Sequence, residues 1–398
     1  MKRLLLSALA GLALGACRPS EPTEHYGFIA RLGRDTVSVE NVTRQGNRVT
    51  SDEVDRFPRV RQRHTEIELG DNGGIRHLAM DIVTPSEEPK QRLRRVVVDV
   101  TKDSVHIIKR DSTGTVRRDF ATQGGIAMAH LPQMYSLYEL YFDAALGQLK
   151  ASTSARDTAH LRQFYIDREF DRFPLHTGRV WRRPDGKLEI QHDWLSGIGV
   201  ADVDSSGRLT GYSGARTTYK VDVTRVSDPP NVEPVFTQFA ALETKNGFAQ
   251  LSVRDTARAT IGAATFAVDY GRPLVRGRDL LGKLLPYDYV WRTGANAATQ
   301  FTTSAPITLA GMRVPAGTYT LWTLPSASGA QLIINKQHGQ WGTDYDPTQD
   351  LVRLPLTQTA LATPVEQFTI ALDPSGTTGG TLRLRWAGTE YSIPFTIQ

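Results

Sequence analysis

Residues suited to holding an anion concentrate in one stretch of this chain. Tyr270-Gly271-Arg272-Pro273-Leu274-Val275-Arg276-Gly277-Arg278 is followed by Val290-Trp291-Arg292-Thr293-Gly294-Ala295-Asn296, which places four arginines in the 21 residues from Arg272 to Arg292. A guanidinium is a planar fork of donors that fits carboxylate or phosphate, and glycine lets backbone approach closely. Arg272, Arg276, Arg278, Trp291, Arg292 and Asn296 are therefore candidate ligand-binding residues. Trp341 joins them if the segment Asn335 to Gly342 folds onto the cluster. His338, the one histidine of the second half, is the candidate proton-transfer group. Asp269, Asp279 and Asp288 stand in the same stretch, and pairing with them would make the arginines an ordering device for a long loop. Both readings stand on the sequence.

Other motifs point away from chemistry. There is no His-Glu-x-x-His, no phosphate-binding loop and no dinucleotide fingerprint. Gly211-Tyr212-Ser213-Gly214-Ala215 resembles a nucleophile elbow, but strand-like residues flank it on both sides, so a hairpin bend is expected. Asp202-Val203-Asp204-Ser205-Ser206-Gly207 opens like a calcium loop, yet Ser213 stands where the bidentate glutamate belongs, and a turn is expected. The histidines are scattered; His192-Asp193 places one beside a carboxylate, as Glu24-His25 does near the start of the fold. Neither a metal nor a cofactor is expected.

The elements that must position the arginines read as mainly β. A chain of 398 residues, 40% hydrophobic, is long enough for two domains, each with its own core. Residues 25–227 alternate over Thr36 to Val42, Arg95 to Val100, Val105 to Arg110, Lys187 to Gln191 and Tyr219 to Val223, with Gly- and Asn-rich turns between. An antiparallel curved sheet or half-barrel is expected. One segment has helical spacing: Met134, Tyr138, Tyr141, Phe142 and Ala145 follow Pro132, and Gly147 can close the helix. That stripe reads as core, with a lipid pocket as the alternative. Asp228-Pro229-Pro230-Asn231-Val232-Glu233-Pro234 opens a Pro-rich linker over 228–256, with a short helix at Val235 to Leu242. Strand patterns resume over 257–398 as a β-sandwich. Arg59, Arg61 and Arg63 alternate, and read as a solvated face interleaved with Glu66, Glu68, Glu87 and Glu88, anionic lipid headgroups being the alternative.

The N terminus says where the protein works. Lys2 and Arg3 precede an apolar run from Leu4 to Leu14, too short to span a bilayer and suited to a signal peptide of residues 1–16. Leu14-Gly15-Ala16-Cys17 resembles a bacterial lipobox, in which the thiol of the chain's single cysteine takes a diacylglyceryl group. Residues 17–24 then form a polar tether. With Arg18 rather than an aspartate after the lipidated residue, the outer membrane, facing the periplasm, is the expected site. Cleavage removes Lys2 and Arg3 and lowers the formal charge from +5 to +3, which leaves no case for nucleic acid as a partner.

The arginine stretch, with Pro315-Ala316-Gly317-Thr318-Tyr319-Thr320-Leu321 and Trp341-Gly342, resembles the bacterial domain-of-unknown-function 2911 family from about Ala257 to the C terminus. In that family an acidic residue often follows the asparagine; here it is Ala297. Members are commonly exported or lipid-anchored, which agrees with Cys17. The resemblance implies no established activity. The expected function is a lipid-anchored envelope protein that reaches the membrane through Cys17 and binds an envelope ligand, whether lipid, glycan or anionic small molecule. An envelope hydrolase using an Arg/His/Asn site is the alternative. That alternative requires His338, Arg292 and Asn296 to share one pocket near Trp341.

Overall fold

Of the 398 residues, the computed structural model describes 21–122, 124–150, 157–166, 175–192, 197–246 and 250–398. The expected signal segment, Met1 to Ala16, and Cys17 lie outside the described residues. The chain opens with β1 (Thr23–Leu32), β2 (Asp35–Gln45), β3 (Arg48–Asp55) and β4 (Arg61–Leu69), then β5 (Ile75–Val83), β6 (Leu93–Val100), β7 (Ser104–Asp111) and β8 (Gly114–Ala121). β9 (Ala127–His130), α1 (Tyr135–Lys150) and β10 (Thr158–Tyr165) follow. Then come β11 (His176–Arg182), β12 (Leu188–His192), β13 (Ile198–Val203), β14 (Leu209–Ser213) and β15 (Asp222–Val226). β15 returns to pair with β1, so one 15-stranded sheet extends from β1 in two directions, through β2 to β8 on one side and through β15 back to β9 on the other.

Every pair in this sheet is antiparallel except β9 with β10, which are parallel because α1 crosses between them. The expected antiparallel curved sheet is otherwise found, and this is where it departs from antiparallel pairing. Register shifts at Ala30/Arg31, Glu68/Leu69 and Asp202/Val203 bend the strands, and the concave face closes over α1. Met134, Tyr138, Tyr141, Phe142 and Ala145 are buried, as the stripe requires, but Leu137, Leu140 and Leu146 are buried too. A helix apolar nearly all round is an interior helix, and each large side chain it buries contributes roughly 1.5–3 kcal/mol. Gly147 does not end the helix, which runs on to Lys150.

Charge lies under the same sheet. Glu40 is fully buried and accepts from the backbone N–H of Tyr135 at 2.7 Å and of Ser136 at 3.0 Å. It thus satisfies two of the orphan donors at the start of α1 and opposes the positive end of its dipole. Beside it, Arg63 donates to Glu53 at 2.6 Å and to Asp55. The expectation of a solvated arginine face is corrected here. Arg61 and Arg63 point inward and are buried, while the Arg59 side chain is 44% exposed and pairs with Glu87. Alternation placed the arginines on one face, but the charged partners that make it the inner face, Glu53 and Asp55, come from the neighbouring strand. His192 is also buried, its Nδ1 2.7 Å from Gln163 Oε1, and burial pushes its pKa down to about 3.

α2 (Val232–Asn246) is longer than the short helix expected in the linker. Its Val232 and Phe239 pack with Val39, Val54 and Val60 on the convex face of β2 and β3. The second unit comprises β16 (Ser252–Ile261), β17 (Ala264–Pro273), β18 (Thr299–Thr303), β19 (Ile307–Leu309) and β20 (Met312–Val314), then β21 (Gly317–Ser326), β22 (Gly329–Asn335), β23 (Asp350–Pro374) and β24 (Gly379–Ile397). Its first strand starts at Ser252, ahead of the apolar alternation, because Val253 to Asp255 are exposed on an edge. The nine strands form one sheet, in the order β16-β17-β18-β21-β22-β23-β24-β19-β20, that folds over on itself as a sandwich. Across the fold, Phe266 of β17 meets Phe395 of β24 at 5.2 Å, and Tyr270 meets Phe368 at 5.8 Å.

Candidate functional site

The arginine stretch forms the long connection from β17 to β18, and its backbone is held out of the ordinary regions. Arg276, Asp288, Thr293 and Asn296 all have positive φ, between 50° and 63°. Left-handed non-glycine residues cost of order 1–3 kcal/mol each and persist where the surroundings over-determine them, as they do at functional sites. Two close approaches show what fixes the loop. A Cβ on Gly271 would lie 2.2 Å from the carbonyl oxygen of Ala295, and one on Gly33 would lie 2.2 Å from that of Arg276. The first staples the loop to β17; the second seats it on the β1–β2 turn of the N-terminal unit, where the N–H of Arg34 donates to the same Arg276 carbonyl at 3.0 Å.

The arginines divide into two pairs with different partners. Arg272 donates to Asp255 at 2.9 Å, to Thr369 Oγ1 at 3.0 Å and to the Phe368 carbonyl at 3.1 Å, so it ties β17 to β16 and β23. Arg276 is buried; it donates to Asp35 and, at 2.7 Å, to the carbonyl of Leu251. Both order the structure. The acids that do this work are Asp255 and Asp35, since Asp269 pairs with Arg254 at 2.9 Å and Asp279 with Lys283 at 2.6 Å.

Arg278 and Arg292 are different. Arg278 donates to the carbonyls of Val275 at 2.9 Å and Leu274 at 2.7 Å, with its aliphatic stem against Gly33. Arg292 donates to the carbonyl of Asn296 at 3.0 Å. From the N-terminal unit, Lys220 in the loop between β14 and β15 comes near both and donates to the carbonyl of Ala215 at 2.6 Å. Among the described residues none of these three cations has a carboxylate at ion-pair distance. Burial first, then the guanidiniums of Arg292 and Arg278, push the Lys220 pKa down to about 7. Burial, aided by Arg276 and opposed by the more distant Asp222, Asp35 and Glu366, brings Arg278 down to about 10, and burial alone does the same to Arg292. Lys220 thus lies at the domain junction under the repulsion of two half-buried guanidiniums, an arrangement suited to accepting an anion.

The segment after β22 does fold onto this loop. The N–H of Gly342 donates to the Asn296 carbonyl at 3.1 Å, Ala297 and Trp341 form a β-bridge, and a Cβ on Gly342 would strike Arg292 Cδ at 2.3 Å. Asn296 therefore contributes its carbonyl, turned toward Arg292 by its left-handed backbone. Trp341 is 50% exposed beside the bridge. Trp291 turns the other way, stacked on Trp386 at 5.6 Å and edge-on to Phe368 at 5.0 Å. His338 is exposed and makes no hydrogen bond among the described residues, whereas Arg292 and Gly342 are both joined to the Asn296 carbonyl. Among the described residues there is no cluster of His, Cys, Asp and Glu able to hold a metal. The calcium-like segment is a turn in which Asp204 accepts from the N–H groups of Ser206 and Arg208, and Gly211 to Ala215 is the end of β14 and the bend after it. Lys220 had no signal in the sequence. It stands alone in a polar loop and gains its meaning from a domain contact.

No curated protein matches this chain. Two solved structures align with part of it: a DUF1089 family protein from Pseudomonas aeruginosa, at 12% identity, and a beta-barrel-like protein of domain of unknown function DUF1849 from Brucella abortus, at 10%. Each aligns over 52% of this chain, covering 97% and 96% of the respective structure, with a TM-score of 0.33. Residues 252–395 match the model of the family described as "Protein of unknown function (DUF2911)", the family that the arginine loop and Trp341-Gly342 resemble.

Proposed function

We propose that this protein is a lipid-anchored envelope protein that binds a small anion, carrying phosphate or carboxylate, at the junction of its two units. The observation that carries the reading is that Lys220 sits close enough to Arg278 and Arg292 to feel both charges while none of the three has a carboxylate at ion-pair distance among the described residues, Asp222, Asp35 and Glu366 acting on Arg278 only from farther off. Each cation keeps part of its surface open to an anion, whose charge would offset the repulsion that Lys220 feels from the two guanidiniums. Of the ligand classes expected from the sequence, the charged one fits this arrangement. The exposed His338 lies outside the hydrogen bonds of the site, so binding, not hydrolysis, is the activity assigned to it. Anchoring rests on Leu14-Gly15-Ala16-Cys17, and Arg18 favours the outer membrane, facing the periplasm.

Two measurements test this. Thermal shifts of the full chain against inorganic phosphate, citrate and glycerol phosphate should show saturable stabilisation that Arg292→Ala abolishes. The absence of stabilisation by any anion, or its persistence in Arg292→Ala, would count against the site. Radiolabelled palmitate should enter the wild type and not Cys17→Ala; label retained by the variant would refute the anchor.

A further inference from the structure

A second site lies behind the loop, on the face that Trp291 presents. β23 and β24 are continuous strands, but their ladder breaks twice: it runs from Thr357↔Ser392 to Ala360↔Thr389, is caught once at Val365↔Ala387, and resumes at Thr369↔Arg385. Ala387 has a φ of 47° at this corner, where the sheet turns from one layer of the sandwich to the other. The broken ladder leaves a gap. Trp291, Phe368 and Trp386 wall it with stacked and edge-on rings, and Leu280, Leu281 and Leu285 line it too, leaving a partly open cavity of about 220 Å³.

No charged side chain lines this cavity. Tyr391 does line it, and its hydroxyl is buried with no hydrogen-bond partner among the described residues. A buried phenol left without a partner is costly, and an apolar cavity of this size forfeits packing when empty. Apolar cavities take apolar guests; an enclosed one of about 150 Å³ holds benzene, and this larger, partly open one has room for a body of roughly eight carbons. Because Trp291 bridges Thr323 in extended conformation, Arg292 next to it faces the opposite side, and the cavity does not share its lining with the anion site.

We propose that the cavity binds a neutral, compact amphiphile, an alkyl or aryl body of this size with one hydroxyl or carbonyl group that pairs with Tyr391. The source of the body, chain or ring, is what the two probes separate. Full-length protein is titrated with 1-octanol and with benzyl alcohol, toluene serving as the arene without a hydroxyl, while tryptophan emission and the melting temperature are followed. Trp291 and Trp386 are both in the wall, so saturable binding of either alcohol should shift the emission and raise the melting temperature. Tyr391→Phe should weaken the alcohol about three- to tenfold and leave toluene unchanged, as the loss of one neutral hydrogen bond would. Leu281→Trp, which fills the space, should abolish binding of all three while its circular dichroism matches wild type. The cavity is refuted as a site if neither alcohol binds saturably, or if folded Leu281→Trp binds as wild type does. Equal affinity of Tyr391→Phe and wild type for the alcohols would overturn the role of the phenol.

Discussion

Arg276 reaches across the molecule to Asp35, 241 residues earlier in the chain, and the same guanidinium donates at 2.7 Å to the carbonyl of Leu251 just before β16. One side chain thus joins the β1–β2 turn, the end of the linker and the loop that carries Arg278 and Arg292. Truncating it leaves Asp35 and a buried carbonyl without their donor. Arg276→Ala should cost about 2–4 kcal/mol, near what breaking a buried pair costs when one partner stays half in water. In calorimetry the wild type should unfold in one transition, and the substitution should split it in two as the units unfold separately. A single transition at an unchanged temperature would show that Arg276 is dispensable to the junction.

Close approach predicts the behaviour of Gly271. An added methyl would meet the backbone of Ala295 at 2.2 Å, and backbone cannot swing aside as a long side chain can. Gly271→Ala should push the turn at Gly294 to Asn296 off β17, at about 1–3 kcal/mol of overpacking strain. Because Arg292 is held by the Asn296 carbonyl, phosphate affinity should fall severalfold although no ligand-binding side chain has changed. Calorimetric titration of the folded variant checks this; unchanged affinity would mean that Arg292 is positioned by something other than this turn.

These two residues also mark what was legible in the chain. Gly271, the arginines, Trp341-Gly342 and the family they resemble were visible because the loop's chemistry is local: glycine at a close contact, guanidiniums within a few residues of one another. Roles within the loop were not. Whether an arginine binds a ligand or the fold depends on which acid it meets, and Arg276 meets Asp35 from the other unit. Lys220 enters the site in the same way, through a domain contact with no trace in its neighbours. In the N-terminal unit, period-two alternation told strand from helix but not inside from outside. Arg61 and Arg63 look like surface until Glu53 and Asp55 of the neighbouring strand are placed beside them. β9, only four residues long, gave too little pattern to reveal its parallel pairing with β10.

Glu40 gives the N-terminal unit a pH dependence of definite sign. Burial raises its pKa above the ordinary 4.5 in spite of hydrogen bonds from Ser51, Ser136 and the start of α1, and Glu53 is raised by the same cause. A carboxyl whose folded pKa exceeds its unfolded one favours folding most when protonated. Stability should therefore be greatest below about pH 4.5 as far as these groups decide it, and be lost as pH rises through their folded values. Glu40→Gln keeps an acceptor for the two N–H groups while the hydroxyls of Ser51 and Ser136 turn to accept from the amide. Urea midpoints measured from pH 4 to 8 should fall less steeply in Glu40→Gln than in wild type, Glu53 keeping part of the slope. An identical slope would place the titration elsewhere.

Lys220 makes the proposed anion site sensitive to pH near neutrality. With its pKa at about 7, the free protein carries a partly neutral amine there at neutral pH, while Arg278 and Arg292, at about 10, remain charged. A depressed lysine pKa means that folding favours the neutral amine, so in the free protein this group's penalty on stability is felt below about pH 7 and lifts as pH rises through it. A bound anion reverses the preference, since it stabilises the ammonium and restores the proton. Affinity for an anion whose own charge is constant, such as sulfate, should hold below about pH 6 and decline above pH 7, approaching tenfold per unit while the bound form stays protonated. At pH 8 binding should take up close to one proton, read from calorimetric titrations in two buffers of different ionisation enthalpy. Lys220→Arg should flatten the profile and abolish the uptake while retaining affinity. Lys220→Ala should flatten it at reduced affinity. Equal wild-type affinity at pH 6 and pH 8.5 would exclude Lys220 from the site, whatever Arg278 and Arg292 were found to hold.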